Sequence, residues 1–192
     1  MLMSVRGAIA ATLLAGTALA ATPAFAQDSD IPADISVSAG WTGDLGASGL
    51  SLDVGLLLYA YPSGHVGKAN YWEPYASISG TLGPASITTG VAYAWDQDSL
   101  GNQDNLYIYT DAEVAIPDTP FTLSGHLGYT DGVLAPDLLA GGYDDTGLDW
   151  SLGVSATIFG PLSASVSYVG VDGASVDGLT DDTIVVTLSG SF

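Results

Sequence analysis

His126, and the carboxylates that a simple hairpin would bring to it, are the residues of this 192-residue chain best suited to chemistry. Pro117-Asp118-Thr119-Pro120 reads as a tight turn. If that turn pairs Ile116 with Phe121, then Asp111 stands opposite His126 and Glu113 opposite Ser124, all on one face. A carboxylate facing an imidazole can serve a proton-linked or catalytic site, and it can equally be a structural polar pair. Period-two alternation places Asp53, Glu73 and Asp149 on the corresponding faces of their own segments, with no arginine to answer them. A water-filled interior lined this way favours cations, whereas a dry one forces the carboxyls to share hydrogen bonds. No Ser-His-Asp spacing is present. The other histidine, His65, falls in a predicted loop, so the chain is expected not to be an enzyme.

A second candidate is the acidic stretch from Asp96 to Asp104, whose Asp96, Asp98, Asn102 and Asp104 alternate oxygen ligands around Gly101 as a calcium loop does. Leu100 stands where that pattern wants a third ligand, the closing glutamate is missing, and strands rather than helices flank the stretch. Calcium is therefore the secondary expectation and a solvated acidic loop the primary one. No other cofactor is expected.

Strands must position these groups. Nine segments alternate apolar with small or polar residues. The fifth is the cleanest: Leu106, Ile108, Ala112, Val114 and Ile116 oppose Tyr107, Tyr109, Asp111 and Glu113. The last, Thr183 to Phe192, carries no charge and ends on an aromatic. Every apolar face is free of charge, and the runs have the length of tilted membrane strands. Trp41, Trp72, Trp95, Tyr129, Trp150, Tyr168 and Phe192 sit toward segment ends, as an aromatic girdle at a membrane interface would. Gly83-Pro84, Pro117 to Pro120 and Gly160-Pro161 make short turns, whereas Asp96–Asp104, Asp131–Gly147 and Asp172–Asp182 make longer acidic connections. One short helix fits near Pro136–Ala140. The expected fold is all-β: an antiparallel up-and-down outer-membrane β-barrel of eight to ten strands occupying residues 34–192. Nine is an odd count where bacterial single-chain barrels are even. With the C-terminus periplasmic, the first of nine strands would begin outside.

Ahead of this domain, Arg6, the apolar run Ala8–Ala20 and Ala24-Phe25-Ala26 fit a signal peptide over residues 1–26. A short acidic lead-in follows at 27–33. Export to the outer membrane of a Gram-negative cell is the expected localisation. With Arg6 removed, Lys68 alone faces 21 carboxylates, which argues against nucleic acid and against direct contact with anionic headgroups. Hydrophobic residues make up 47% of the chain, enough to separate it from acidic disordered chains. There is no cysteine for disulfides or thiolate metal sites. The expected partners are outer-membrane lipid and lipopolysaccharide, the latter through divalent ions, and the barrel-assembly machinery through the C-terminal strand. The residues set no oligomeric state.

Leu52-Asp-Val-Gly, Tyr59-Ala-Tyr-Pro62, Asn70-Tyr-Trp-Glu-Pro-Tyr75, Leu106-Tyr-Ile-Tyr109, His126-Leu-Gly-Tyr-Thr-Asp131 and Asp149-Trp-Ser-Leu-Gly-Val154 resemble strand phrases of the TorF-type porin family, also called the Gcw_chp family. The similarity runs from Ile35 to Phe192. It implies an outer-membrane barrel acting as a passive, porin-like channel, and the unanswered carboxylates make weak cation selectivity the expectation for it. The family's N-terminal strands are absent before Ile35, and a barrel this small tends to be filled by its own side chains. The alternative is a plugged structural or surface-interaction protein presenting acidic extracellular loops.

Overall fold

The computed structural model describes residues 8–14, 35–60, 70–160, 162–172 and 182–190. Ten antiparallel strands form one sheet in strict chain order. They are β1 (Ala8–Leu14), β2 (Ile35–Asp44), β3 (Leu50–Ala60), β4 (Tyr71–Leu82), β5 (Ala85–Gln97), β6 (Gln103–Ala115), β7 (Phe121–Gly132), β8 (Thr146–Phe159), β9 (Leu162–Asp172) and β10 (Thr183–Gly190). All nine strands read from the alternation are present as β2 to β10. The short helix α1 (Pro136–Leu139) lies between β7 and β8. β1 falls in the segment that reads as a signal peptide, and it pairs along β2 from Ala8↔Thr42 to Leu14↔Ser36. β1 and β10 are the two edges of the sheet, and among the described residues no ladder joins them. The lead-in at 27–33, His65, Lys68 and Phe192 lie outside the described residues.

Short turns fix the register at one end. Gly83 at φ 63° closes the Leu82↔Ala85 hairpin, a backbone conformation that favours glycine. Asp118 adopts φ 60° in the next short turn, where the Ile116 N–H donates to the Phe121 carbonyl at 2.9 Å. The Thr119 hydroxyl closes that turn on the Ile116 carbonyl at 2.9 Å. At the opposite end, the β4–β5 ladder stops at Tyr75↔Ala92. Beyond it the Gln97 side chain takes over, accepting from the Trp72 N–H at 2.8 Å and donating to the Trp72 carbonyl at 2.9 Å. A side-chain amide thus satisfies backbone groups that the diverging strands leave open.

Burial runs opposite to that of a soluble sheet. Along β5, Gly90, Ala92 and Ala94 are buried while Val91, Tyr93 and Trp95 are exposed. The same holds across the sheet: Leu127, Leu152 and Ile184 are 55%, 65% and 67% exposed, and the few buried side chains are mostly small or polar, Thr130 and Asn105 among them, with Leu100 of the β5–β6 connection the large apolar exception. A soluble domain hides its large apolar side chains and wets its small polar ones. Here the small and polar face of the sheet is the more buried one and the apolar face the more exposed. Of the expected girdle, Trp72, Trp95, Tyr129 and Tyr168 are exposed on that outer face, and Trp41 and Trp150 are half-buried. Trp150 packs edge-on against Tyr168, with ring centroids 5.1 Å apart.

Candidate functional site on the enclosed polar face

The site lies where β6, β7 and β8 run side by side. The β6–β7 register is Asp111↔His126 and Glu113↔Ser124, as the Pro117–Pro120 turn requires. His126 Nδ1 lies 2.6 Å from Asp111 Oδ1, and its Nε2 lies 2.9 Å from Asp149 Oδ1 on β8. The Tyr107 hydroxyl completes the group, 2.9 Å from His126 Nε2 and donating to Asp149 Oδ1 at 3.1 Å. The His126 side chain is only 9% exposed, against 40% for Asp111 and 17% for Asp149. With an oxygen partner at each nitrogen, the imidazole is held in one orientation between two carboxylates. A charge buried this way is tolerated because it is paired and hydrogen-bonded.

Glycines make room for the tyrosines. Tyr109 lies flat across Gly90 of the neighbouring β5: a Cβ there would sit 2.5–2.6 Å from its Cζ, Cε1 and hydroxyl. The Tyr109 hydroxyl reaches past that strand to Ser77 on β4. Tyr107 crosses Gly128 of β7 in the same manner to reach Asp149, and Tyr75 crosses Gly55 of β3 toward Gly40 on β2. Tyr107 thereby straps β6 to β8 by a hydrogen bond, while Tyr109 and Tyr75 lie across the intervening strand toward β4 and β2. Glycine within a strand commonly marks such a close approach.

Of the inward residues expected from the sequence, Asp111, His126 and Asp149 come together. Asp53 lies against Tyr75 instead. Glu73 pairs in register with Leu57, the one apolar residue on the inward face of its strand, and Glu113 is exposed toward the short-turn end. Tyr107, Tyr109 and Tyr75 were not among the expected site residues, although alternation already placed all three on the inner face. The acidic stretch does not assemble into a cage. Asp98 starts a single 3₁₀ turn, Asn102 adopts φ 57°, and the Asp104 carboxylate accepts from the Tyr93 hydroxyl at 2.8 Å. Among the described residues no group of three or more histidines and carboxylates is placed to hold a metal ion.

One family model, Gcw_chp, described as a bacterial protein of unknown function, matches residues 8–192. The chain belongs to that family. No curated protein and no solved structure matches it. The Gcw_chp match takes in the phrases His126-Leu-Gly-Tyr-Thr-Asp131 and Asp149-Trp-Ser-Leu-Gly-Val154, which supply two of the four members of the central cluster. In this Gcw_chp chain no serine hydroxyl bonds to His126 among the described residues; its partners are Tyr107, Asp111 and Asp149. The arrangement fixes charge and orientation on the polar face of the sheet.

Proposed function

We propose that this chain is an outer-membrane β-barrel that acts as a porin-like, passive and cation-preferring route. It is exported by a signal peptide removed after Ala26, which takes β1 away and leaves β2 to β10, and inserted by the assembly machinery that reads its C-terminal strand. The observation that carries the reading is the inverted burial of β5, where Val91, Tyr93 and Trp95 face outward over enclosed Gly90, Ala92 and Ala94. Hydrocarbon is the solvent that suits such an outer face, and a spanning sheet must close because lipid tolerates no unpaired edge. The inner face offers Asp53, Glu73, Asp111 and Asp149 with no arginine, and a carboxylate-lined lumen draws cations and repels anions. The reading assigns the His126 cluster an electrostatic and structural role, with no reaction. Lipid and lipopolysaccharide are its surroundings, the acidic loops meeting the latter through divalent ions.

A plugged structural barrel is the second reading, and a specific observation favours it: three tyrosine rings and the His126 cluster lie on the inner wall of a sheet small enough to be filled by side chains. Planar-bilayer conductance of the refolded chain separates the two. Steady steps, a reversal potential of the cation-selective sign in a salt gradient, and reduced selectivity in Asp111→Asn/Glu113→Gln are expected. Silence from a barrel that still shows heat-modifiable migration on gels would establish the plugged reading.

A further inference from the structure

The rings of Tyr107, Tyr109 and His126 form a single tile. Their planes lie within 26° of one another, and their centroids are 5.7 Å, 6.2 Å and 6.5 Å apart. Tyr109 is laid on Gly90 and Tyr107 on Gly128, so each tyrosine turns one face to the backbone of a neighbouring strand and the other away from it, on the polar side of the sheet. The His126 and Tyr107 edges of the tile are already committed: both His126 nitrogens face carboxylates and the Tyr107 hydroxyl donates to Asp149, so neither is left over to bind an anion. What the tile offers is the negative face of two phenol rings beside a cluster that carries net negative charge, since two carboxylates flank one imidazole whatever its protonation state.

We infer that this tile is a binding site for an organic ammonium ion, a cation too weakly hydrated to need hydrogen-bond acceptors. Aromatic faces attract such cations through the ring quadrupole, and quaternary ammonium groups are the ligands that gain most from faces rather than edges. Asp111, with 40% of its side chain exposed, supplies a long-range attraction at the rim of the tile. The inference rests on the lumen reading above and names the class of solute held there.

The test uses the refolded chain in maltoside micelles, which contain no ammonium group, with tetramethylammonium as the probe. Protein-dependent broadening of the probe's methyl resonance at millimolar concentration is expected, with glucose unaffected. Tyr109→Phe keeps the ring face and is expected to bind within twofold of the parent, whereas Tyr109→Leu is expected to weaken binding at least fivefold. Heat-modifiable migration shows that each variant is folded. A folded Tyr109→Leu that binds like the parent, or a folded parent that does not broaden the probe, overturns the inference. Probe binding without bilayer conductance would leave the site standing and overturn only the open channel.

Discussion

Replacing His126 by leucine is expected to destabilise the folded chain by about 3 kcal/mol, the lower end of the cost of removing one partner from a buried ion pair. The substitution keeps the volume but leaves Asp111 and Asp149 without the ring between them, in a place where His126 itself is 9% exposed. The lower end applies because water reaches Asp111 and screens part of its charge. Tyr107 keeps a hydrogen bond to Asp149, so that carboxylate is not wholly stripped of partners. Adding Asp149→Asn to His126→Leu removes one of the two facing charges and is expected to recover part of the loss. Urea unfolding of micelle- or bilayer-refolded protein, read as a midpoint shift at constant slope, measures both. A cost below about 1 kcal/mol would place the cluster among hydrated surface pairs.

The second large effect comes from a single methyl group. A Cβ on Gly128 would fall on the Tyr107 hydroxyl and on Asp149 Oδ2, so Gly128→Ala must push the ring off the strand and break its bond to Asp149. Overpacking of this kind costs about 2 kcal/mol. Gly125→Ala, three residues earlier on the same strand, is the matched control. Its Cβ would meet Leu152 Cδ2 at 3.6 Å and the Ser151 carbonyl at 3.9 Å, ordinary contacts, so it is expected to be neutral or mildly stabilising. Equal effects from the two substitutions would show that the tyrosine does not depend on the glycine beneath it.

Both effects reside in features that the sequence discloses unevenly. The alternation of small and large residues makes β2 to β10 readable because a strand sends successive side chains to opposite faces, and the absence of charge marks the outward face. The Asp111–His126 contact is also readable, since a four-residue turn bounded by prolines leaves the β6–β7 hairpin little choice of register. Asp149 is different. Thirteen residues including α1 separate β7 from β8, so no turn dictates that Gly128 faces Asp149, and the third member of the cluster emerges only from the folded register. The tyrosine crossings are harder still: Tyr109 reaches Ser77 because Gly90 stands between them on a strand neither residue belongs to. The calcium-like alternation from Asp96 to Asp104 is legible as a pattern but not as a shape: Asp96 lies at the end of β5, Asp98 opens a single 3₁₀ turn, and Tyr93 engages the Asp104 carboxylate at the start of β6.

The measurement closest to the central claim is the environment of each residue along β5 in a lipid bilayer. The chain contains no cysteine, so single cysteines at Thr88, Val91, Ala92, Tyr93, Ala94 and Trp95 can each carry one fluorophore. In vesicles containing doxyl-labelled lipid, probes at 91, 93 and 95 are expected to be quenched strongly, and those at 88, 92 and 94 to be protected. Protection of 91, 93 and 95 from lipid, or a chain that stays in the aqueous phase, would contradict an outward apolar face.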